Sequence, residues 1–216
     1  MYISMQECIR ANQGKPFKGV IHIGAHHGEE IEAYAQTGIK DVLWVEANQK
    51  MMKHLYDKTR AFPVNSKYYC TALSNTDDEV VSLNIASNGQ SSSLLEFGTH
   101  AVMYPHITYT DRVSVKTKTF ERLVREHVSD IDMDKYDFVN LDVQGAELKV
   151  LEGFGPLLDR FPIQAVYTEV NFEEVYEGCC LIAELDDFLG KHGFGRVLTA
   201  APEKTWGDSL YLRKPQ

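Results

Sequence analysis

Four groups of residues in this 216-residue chain have the types and spacing to do chemistry. Gly24 and Gly28 enclose Ala25, His26 and His27 directly after the apolar run Val20–Ile23, a spacing that lets the backbone turn tightly and approach a ligand. Glu46 follows 22 residues after the first glycine and can accept both hydroxyls of a ribose. Asp142 and Glu169 close two further apolar runs. A carboxylate pair there could take the proton of a reacting hydroxyl, and with the Asn171 amide it could supply the oxygen ligands that Mg²⁺ or Ca²⁺ prefers. The fourth group is an irregular stretch holding Ser91, Ser92, Ser93, His100, Tyr104, His106 and Tyr109, with hydroxyls, aromatic faces and titratable nitrogens suited to sugar binding.

These residues can meet only if the chain delivers them to one place. Val20–Ile23 reads as a strand, Gly24–Gly28 as its turn and Glu29–Ala35 as a helix that Gly38 stops. Asp41–Glu46 is a second strand, and Asn48 caps a helix running to about Arg60 before Pro63. Strands are further expected at 67–73, 79–85, 112–118, 136–142 and 163–170, with helices at 120–127, after Gly145 and at 181–192. Segments 195–200 and 209–213 close the chain as two strands. The region 86–111 breaks the rhythm and is read as a lid or substrate loop on a single domain spanning 1–216. Alternating strands and helices imply a three-layer α/β sandwich, mostly parallel, with an antiparallel hairpin at one edge. In such sheets ligands sit beyond the carboxyl ends of the strands, which is where Gly24, Glu46, Asp142 and Glu169 fall.

Composition narrows the partner. Lys and Arg number 22 against 31 Asp and Glu, a net charge of −9. Covering a phosphate backbone needs the opposite balance, so nucleic acid is not expected as a partner. The opening residues lack a secretory apolar core, and no stretch of 18 apolar residues occurs, so a cytoplasmic chain without a membrane span is expected. Cys8, Cys70, Cys179 and Cys180 have no C-x-x-C spacing and read as reduced thiols.

The type of nucleoside ligand follows from what surrounds the glycine turn. Dinucleotide sites use G-x-G-x-x-G to seat a pyrophosphate, but here the second glycine is missing and Glu29 and Glu30 follow the turn. Two carboxylates repel a pyrophosphate and tolerate a ligand with a positive centre and an amino-acid end, which describes S-adenosylmethionine (SAM). An NAD-type oxidoreductase is the alternative. His26 and His27, adjacent across a turn with no cysteine nearby, argue weakly for zinc.

Val20 to Gly28, Trp44 to Asn48, Ala72 to Asn75, Ser91 to Leu95, Phe138 to Glu147 and Tyr167 to Asn171 resemble, in order and spacing, the successive blocks of the FkbM-type SAM-dependent methyltransferases. The block Asp142-Val-Gln-Gly-Ala-Glu147 followed by Leu151-Glu-Gly153 carries most of that resemblance. It implies a class I methyltransferase, Rossmann-like fold with a mostly parallel seven-stranded sheet. It also implies O-methylation of a hydroxyl, in many cases on a sugar of a glycan or small-molecule glycoside.

On that resemblance SAM would contact His22, Gly24, Ala25, His26, Gly28, Glu46, Ala47, Ala72, Leu73, Ser92 and Asp142. The acceptor would meet Ser93, His100, Tyr104, His106 and Asn171, and Asp142 and Glu169 would be the catalytic carboxylates. The family usually has an acid where this chain has His22, which leaves Glu29 or Asp142 to meet the methionine ammonium. A catalytically silent SAM-fold binding module is the further alternative. The basic stretch Arg112, Lys116, Lys118, Arg122 and Arg125 reads as a solvated face, or less simply as a seat for an anionic acceptor such as a nucleotide sugar.

Overall fold

The structure, a computed structural model, describes residues 1–215. In chain order the elements are α1 (Met5–Ala11), β1 (Gly19–Ile23), α2 (Ile31–Gln36), β2 (Asp41–Glu46), α3 (Gln49–Thr59), β3 (Asn65–Cys70), β4 (Ala72–Leu73) and β5 (Val80–Ala86). There follow α4 (His100–Met103), β6 (Tyr109–Lys118), α5 (Phe120–Glu126), β7 (Phe138–Leu141), α6 (Glu147–Glu152) and α7 (Leu157–Arg160). The chain closes with β8 (Ala165–Asn171), α8 (Ile182–Lys191), β9 (Phe194–Ala200) and β10 (Trp206–Arg213). Seven strands form one sheet in the order β3-β2-β1-β7-β8-β10-β9. The first five run parallel, and β10 is antiparallel to both β8 and β9. Sequence order reverses between β1 and β7, so their exits open the crevice in which open α/β sheets bind ligands.

Apolar residues on both faces hold the layers. Ile21, Leu43, Val139 and Val166 face the cluster that includes α5, α6 and α8, while Val20, Val42, Trp44 and Phe138 face Ile31, Tyr34 and Leu55 on the opposite side. β1 and β7 are buried at every position, as central parallel strands covered on both faces must be. Asn48 caps α3 by accepting the Lys50 amide at 3.0 Å, and Thr119 caps α5 by accepting that of Arg122 at 3.1 Å.

Three expectations change. The strand expected at 67–73 divides at Thr71: β3 ends the main sheet, while β4 joins β6 and β5 in a separate three-stranded sheet, order β4-β6-β5. Glu29 and Glu30 precede the helix instead of forming its first turn, because α2 begins at Ile31. Helix α1 was not anticipated, although Ser4 and Glu7 form its reciprocal capping box. The irregular 87–108 segment is tied to the connection that follows β8: Gly98 N donates to Val175 O at 2.9 Å, and Phe97 stacks on His100 and Tyr109 with ring centroids 4.1 and 3.9 Å apart.

Candidate active site

The exits of β1, β2, β7 and β8, the start of the antiparallel β10, the 88–94 and 100–107 segments and the first two residues enclose a cavity of about 640 Å³. His22, Gly24, Ala25, His26, Glu46, Ala47, Ala72, Leu73, Ser92, Ser93, His100, Tyr104, Asp142 and Glu169 all line it. Gly28, His106 and Asn171 do not. A β-carbon on Gly28 would meet Leu55 Cδ1 at 2.6 Å and Thr59 Cγ2 at 2.8 Å, so this glycine serves the packing of the turn onto α3. His106 is exposed, and Asn171 is fully buried with neither side-chain polar atom partnered.

One half of the cavity is built around Glu46. Its two carboxylate oxygens accept the backbone N–H groups of His26 at 2.8 Å and Asn48 at 2.7 Å. These bonds fix the carboxylate and leave each oxygen a further lone pair toward the cavity. Burial raises the Glu46 pKa even though both amide bonds favour its charged form. Gly24 has φ 79°, and a β-carbon there would lie 1.7 Å from the Asp142 carbonyl oxygen. Its absence lets the β1 and β7 exits close together. Ile23, Ala25, Val45, Ala47, Ala72, Leu73 and Leu83 give this half an apolar slot beside Glu46.

His26 sits in the left-handed region at φ 44°, where its Nδ1 meets Glu29 Oε1 at 2.8 Å. Burial opposes the charge on both groups, but their contact prevails: His26 is raised and Glu29 is held down to about 2. Burial lowers the His22 pKa, despite Glu30 and Glu29 nearby. Asn140 Nδ2 donates to the Tyr34 hydroxyl oxygen at 2.7 Å, and that hydroxyl lies 3.2 Å from His22 Nδ1. The Tyr34 proton is therefore free for Nδ1, which leaves the imidazole proton on Nε2, 4.0 Å from Glu30 Oε2. His22 thus presents a donor where a carboxylate would present an acceptor, and Glu30 supplies the acid beside it. Glu29 and Asp142, the acids to which the sequence points, line the cavity as well.

The other half is a node of carboxylates. Gln144, at φ 55°, donates its side-chain amide to Asp142 Oδ1 at 2.6 Å and Glu169 Oε2 at 2.8 Å. The Tyr176 hydroxyl and Ser93 fix it in turn: Tyr176 donates to Gln144 Oε1, and Ser93 Oγ donates to the Gln144 carbonyl at 2.7 Å. Asp142, Glu147 and Glu169 bring carboxylate oxygens within 4.8 Å of one another. Burial, then the neighbouring Asp142, Glu147 and Asp208 charges, hold Glu169 well above the usual carboxylate range; burial raises Asp142 too, against the Gln144 bond. Glu147 was missed from the sequence, although a glutamate opening a helix two residues after a glycine is a recognisable turn brace. Its Oε1 accepts the amides of Val143 and Gly145, each at 3.1 Å.

Among the described residues, two groups of side chains could hold a cation: Asp142 with Glu147 and Glu169, and His26 with His27 and Glu29. The rings of the two histidines stack at 3.9 Å, and His26 Nδ1 is already engaged by Glu29. Serines and His100 of the 87–108 segment are engaged inside the protein. Ser92 Oγ donates to Gly89 O at 2.7 Å and accepts Ala86 N at 3.1 Å, Ser93 Oγ accepts Leu95 N at 3.0 Å, and His100 Nε2 pairs with Ser91 Oγ at 3.2 Å. Beyond them, Tyr2, Tyr104 and Trp206 form an aromatic mouth: the Tyr2 and Trp206 rings are 5.5 Å apart, and Trp206 Nε1 donates to the Tyr104 hydroxyl at 3.3 Å. Tyr2, Trp206 and Asp208 were not visible from sequence, since the antiparallel register of β10 brings two of them to β8.

A mostly parallel seven-stranded sheet with β10 inserted antiparallel, and an acid-bearing crevice at its strand exits, defines a class I methyltransferase fold. The chain belongs to the FkbM methyltransferase family, whose methyltransferase FkbM domain model matches residues 22–195. No curated protein matches the chain. Among solved structures it is similar to magnesium protoporphyrin IX methyltransferase from Synechocystis with bound SAM, at 14% identity and TM-score 0.53, over 96% of this chain and 75% of that one. It is also similar to the methyltransferase domain of bacterial CtHen1-C, at 8% identity and TM-score 0.52, over 99% and 98%. A third is TrmK from M. capricolum in complex with S-adenosylhomocysteine, at 12% identity and TM-score 0.50, over 96% and 68%. The expected fold, the expected family and SAM as the cofactor accord with these findings; the NAD-type alternative does not. No helix among the described residues is long and apolar enough to cross a membrane.

Proposed function

We propose that the protein transfers the methyl group of SAM to a hydroxyl, on a sugar of a glycan or small-molecule glycoside. The observation that carries this reading is that Glu46 and the Asp142–Gln144–Glu169 group open onto one cavity large enough for a donor and an acceptor side by side. Bound SAM supplies an electrophilic methyl on a sulfonium centre. Glu46, anchored by two backbone amides, would hold the ribose hydroxyls, and Ala47, Ala72 and Leu73 would cover the adenine.

The remaining chemistry belongs to the node. Gln144 sets the distance between Asp142 and Glu169, so an acceptor hydroxyl in their reach is aligned without searching. A positive donor lowers the pKa of the carboxylates facing it, which counters the mutual repulsion that raises Glu169 and leaves a base able to take the hydroxyl proton. The 87–108 segment and the aromatic mouth exclude water. Calorimetric titration with S-adenosylhomocysteine, followed by tritium transfer from labelled SAM to a panel of glycosides, tests the reading. Absence of cofactor binding at millimolar ligand defeats it; binding without turnover on any hydroxyl acceptor leaves the silent module.

A further inference from the structure

We propose that the acceptor carries a positive charge close to its reacting hydroxyl, as a 2-amino sugar does, and that Glu169 and Glu203 with the Tyr2–Trp206 mouth select it. The inference rests on the donor reading above and goes beyond it to the acceptor's class. Seven carboxylates line the cavity; among the described residues that do so there is no lysine or arginine, and the Met1 ammonium sits 3.7 Å from Glu30 Oε1. Glu46 and Glu29 lie on the donor side and Glu30 beside His22, which leaves Asp142, Glu169, Glu203 and Asp208 around the space for the acceptor.

The fold holds these charges together at a cost. Glu169 and Asp208 stand directly opposite each other across the β8–β10 ladder, an arrangement that is unfavourable for like charges. Asp208 is answered by the Tyr2 amide at 2.7 Å and the Tyr167 hydroxyl, whereas Glu169 receives only the Gln144 amide. Glu147 Oε2, on a fully buried side chain of the carboxylate cluster, and the amide of Asn171 also lack partners, but neither residue lines the cavity, so the open position belongs to Glu169. Glu30 has the Met1 ammonium beside it, whereas among the described residues Glu169 has no cationic partner. An ammonium supplies three N–H donors and positive charge, and the faces of Tyr2, Tyr104 and Trp206 attract cations.

The same field repels phosphate. The basic stretch offers no remedy, because Arg112 pairs with Glu96, Lys118 with Glu126, and Arg122 with Asp78 and Glu126, all outside the cavity. An anionic nucleotide sugar is therefore disfavoured as acceptor.

The test is calorimetric titration of the full chain, loaded with S-adenosylhomocysteine, with glucosamine, glucose, N-acetylglucosamine and glucose 6-phosphate at about pH 6.5, below the usual range for an amine. Glucosamine is expected to bind at least about tenfold tighter than glucose, a difference of about 1.4 kcal/mol. N-acetylglucosamine should match glucose, and glucose 6-phosphate should bind most weakly. Glu169→Gln and Glu203→Gln should each erode the glucosamine preference several-fold, Glu203→Gln without changing affinity for S-adenosylhomocysteine. Equal binding of glucosamine and glucose, tighter binding of the phosphate, or a preference that survives both substitutions overturns the proposal. So does millimolar Mg²⁺ that abolishes the preference and itself binds through Glu169, since the positive charge would then be a metal. Failure to bind S-adenosylhomocysteine strikes the donor reading; binding it without the amine preference strikes only this inference.

Discussion

The two halves of the cavity are built on opposite principles. Around Glu46 every hydrogen bond to the carboxylate comes from the backbone, and the walls are small apolar side chains. Around Asp142 and Glu169 the contacts are side chain to side chain, the charges are alike, and Glu147 Oε2 has no partner at all. The first half is formed before any ligand arrives. The second is left electrostatically frustrated, and its strain is relieved when positive charge enters. A ligand common to every turnover can be met by a rigid seat, whereas the reacting group needs carboxylates whose proton affinity responds to what is bound.

Replacing Asp142 by Asn attacks the second half directly. Turnover should fall by about 10²–10⁴, the usual contribution of a positioned acid–base group, while the melting temperature and product affinity stay near wild type. A fully active Asp142→Asn protein would assign the base elsewhere. Glu46→Ala attacks the first half and should do the reverse. Binding of S-adenosylhomocysteine should weaken by about 1.5–3 kcal/mol, the scale of hydrogen bonds to a charged group, with saturating turnover much less affected. If both substitutions change binding and turnover in the same ratio, the division of the cavity is wrong.

How much of this division could be read from the residues depends on the range of the contacts that make it. Gly24, Glu46, Asp142 and Glu169 were legible because a parallel α/β alternation delivers strand exits to one edge, whatever the loops do. The roles of Gly28 and Ser93 were not. Both depend on which atoms lie across a gap, Leu55 and Thr59 for the glycine and the Gln144 carbonyl for the serine, and spacing along the chain carries no information about that. Tyr2 and Asp208 are 206 residues apart and meet only because β10 pairs antiparallel to β8 while α1 folds beneath it. The capping box at Ser4 and Glu7 was readable and went unread, hidden by the polar character of the opening residues.

The frustration should also be visible as stability. Burial, then the Asp142 charge, raises the Glu147 pKa above its ordinary 4.5, against the amide bonds it accepts. The folded protein therefore keeps a proton that the unfolded chain has released. That contribution is complete below the unfolded value and is lost as pH rises through the folded one. Glu147→Gln keeps an oxygen for the Val143 and Gly145 amides and places an N–H₂ toward Asp142 and Glu169. The variant should be more stable than wild type at pH 8 by about 1–3 kcal/mol, and the advantage should shrink toward pH 5. Comparing the two proteins cancels the opposing effect of His22, whose lowered pKa removes stability as pH falls. Thermal melts of both across this range that run parallel would mean Glu147 is not strained.

The smallest effect discriminates most finely between the halves. Ser93 lies in the 87–108 segment, where sequence suggests contact with the acceptor, yet it is 1% exposed and its hydroxyl bonds the Gln144 carbonyl and the Leu95 amide. Ser93→Ala should cost about 1 kcal/mol, the net value of such bonds, and lower the melting temperature by about 2–4 °C for a chain of this length. Gln144 would then hold Asp142 and Glu169 less firmly, so acceptor KM should rise a few-fold while affinity for S-adenosylhomocysteine is unchanged. Loss of cofactor affinity at unchanged melting temperature would show instead that Ser93 touches the donor, and the boundary between the two halves would have to move from the β7 exit onto the 87–108 segment.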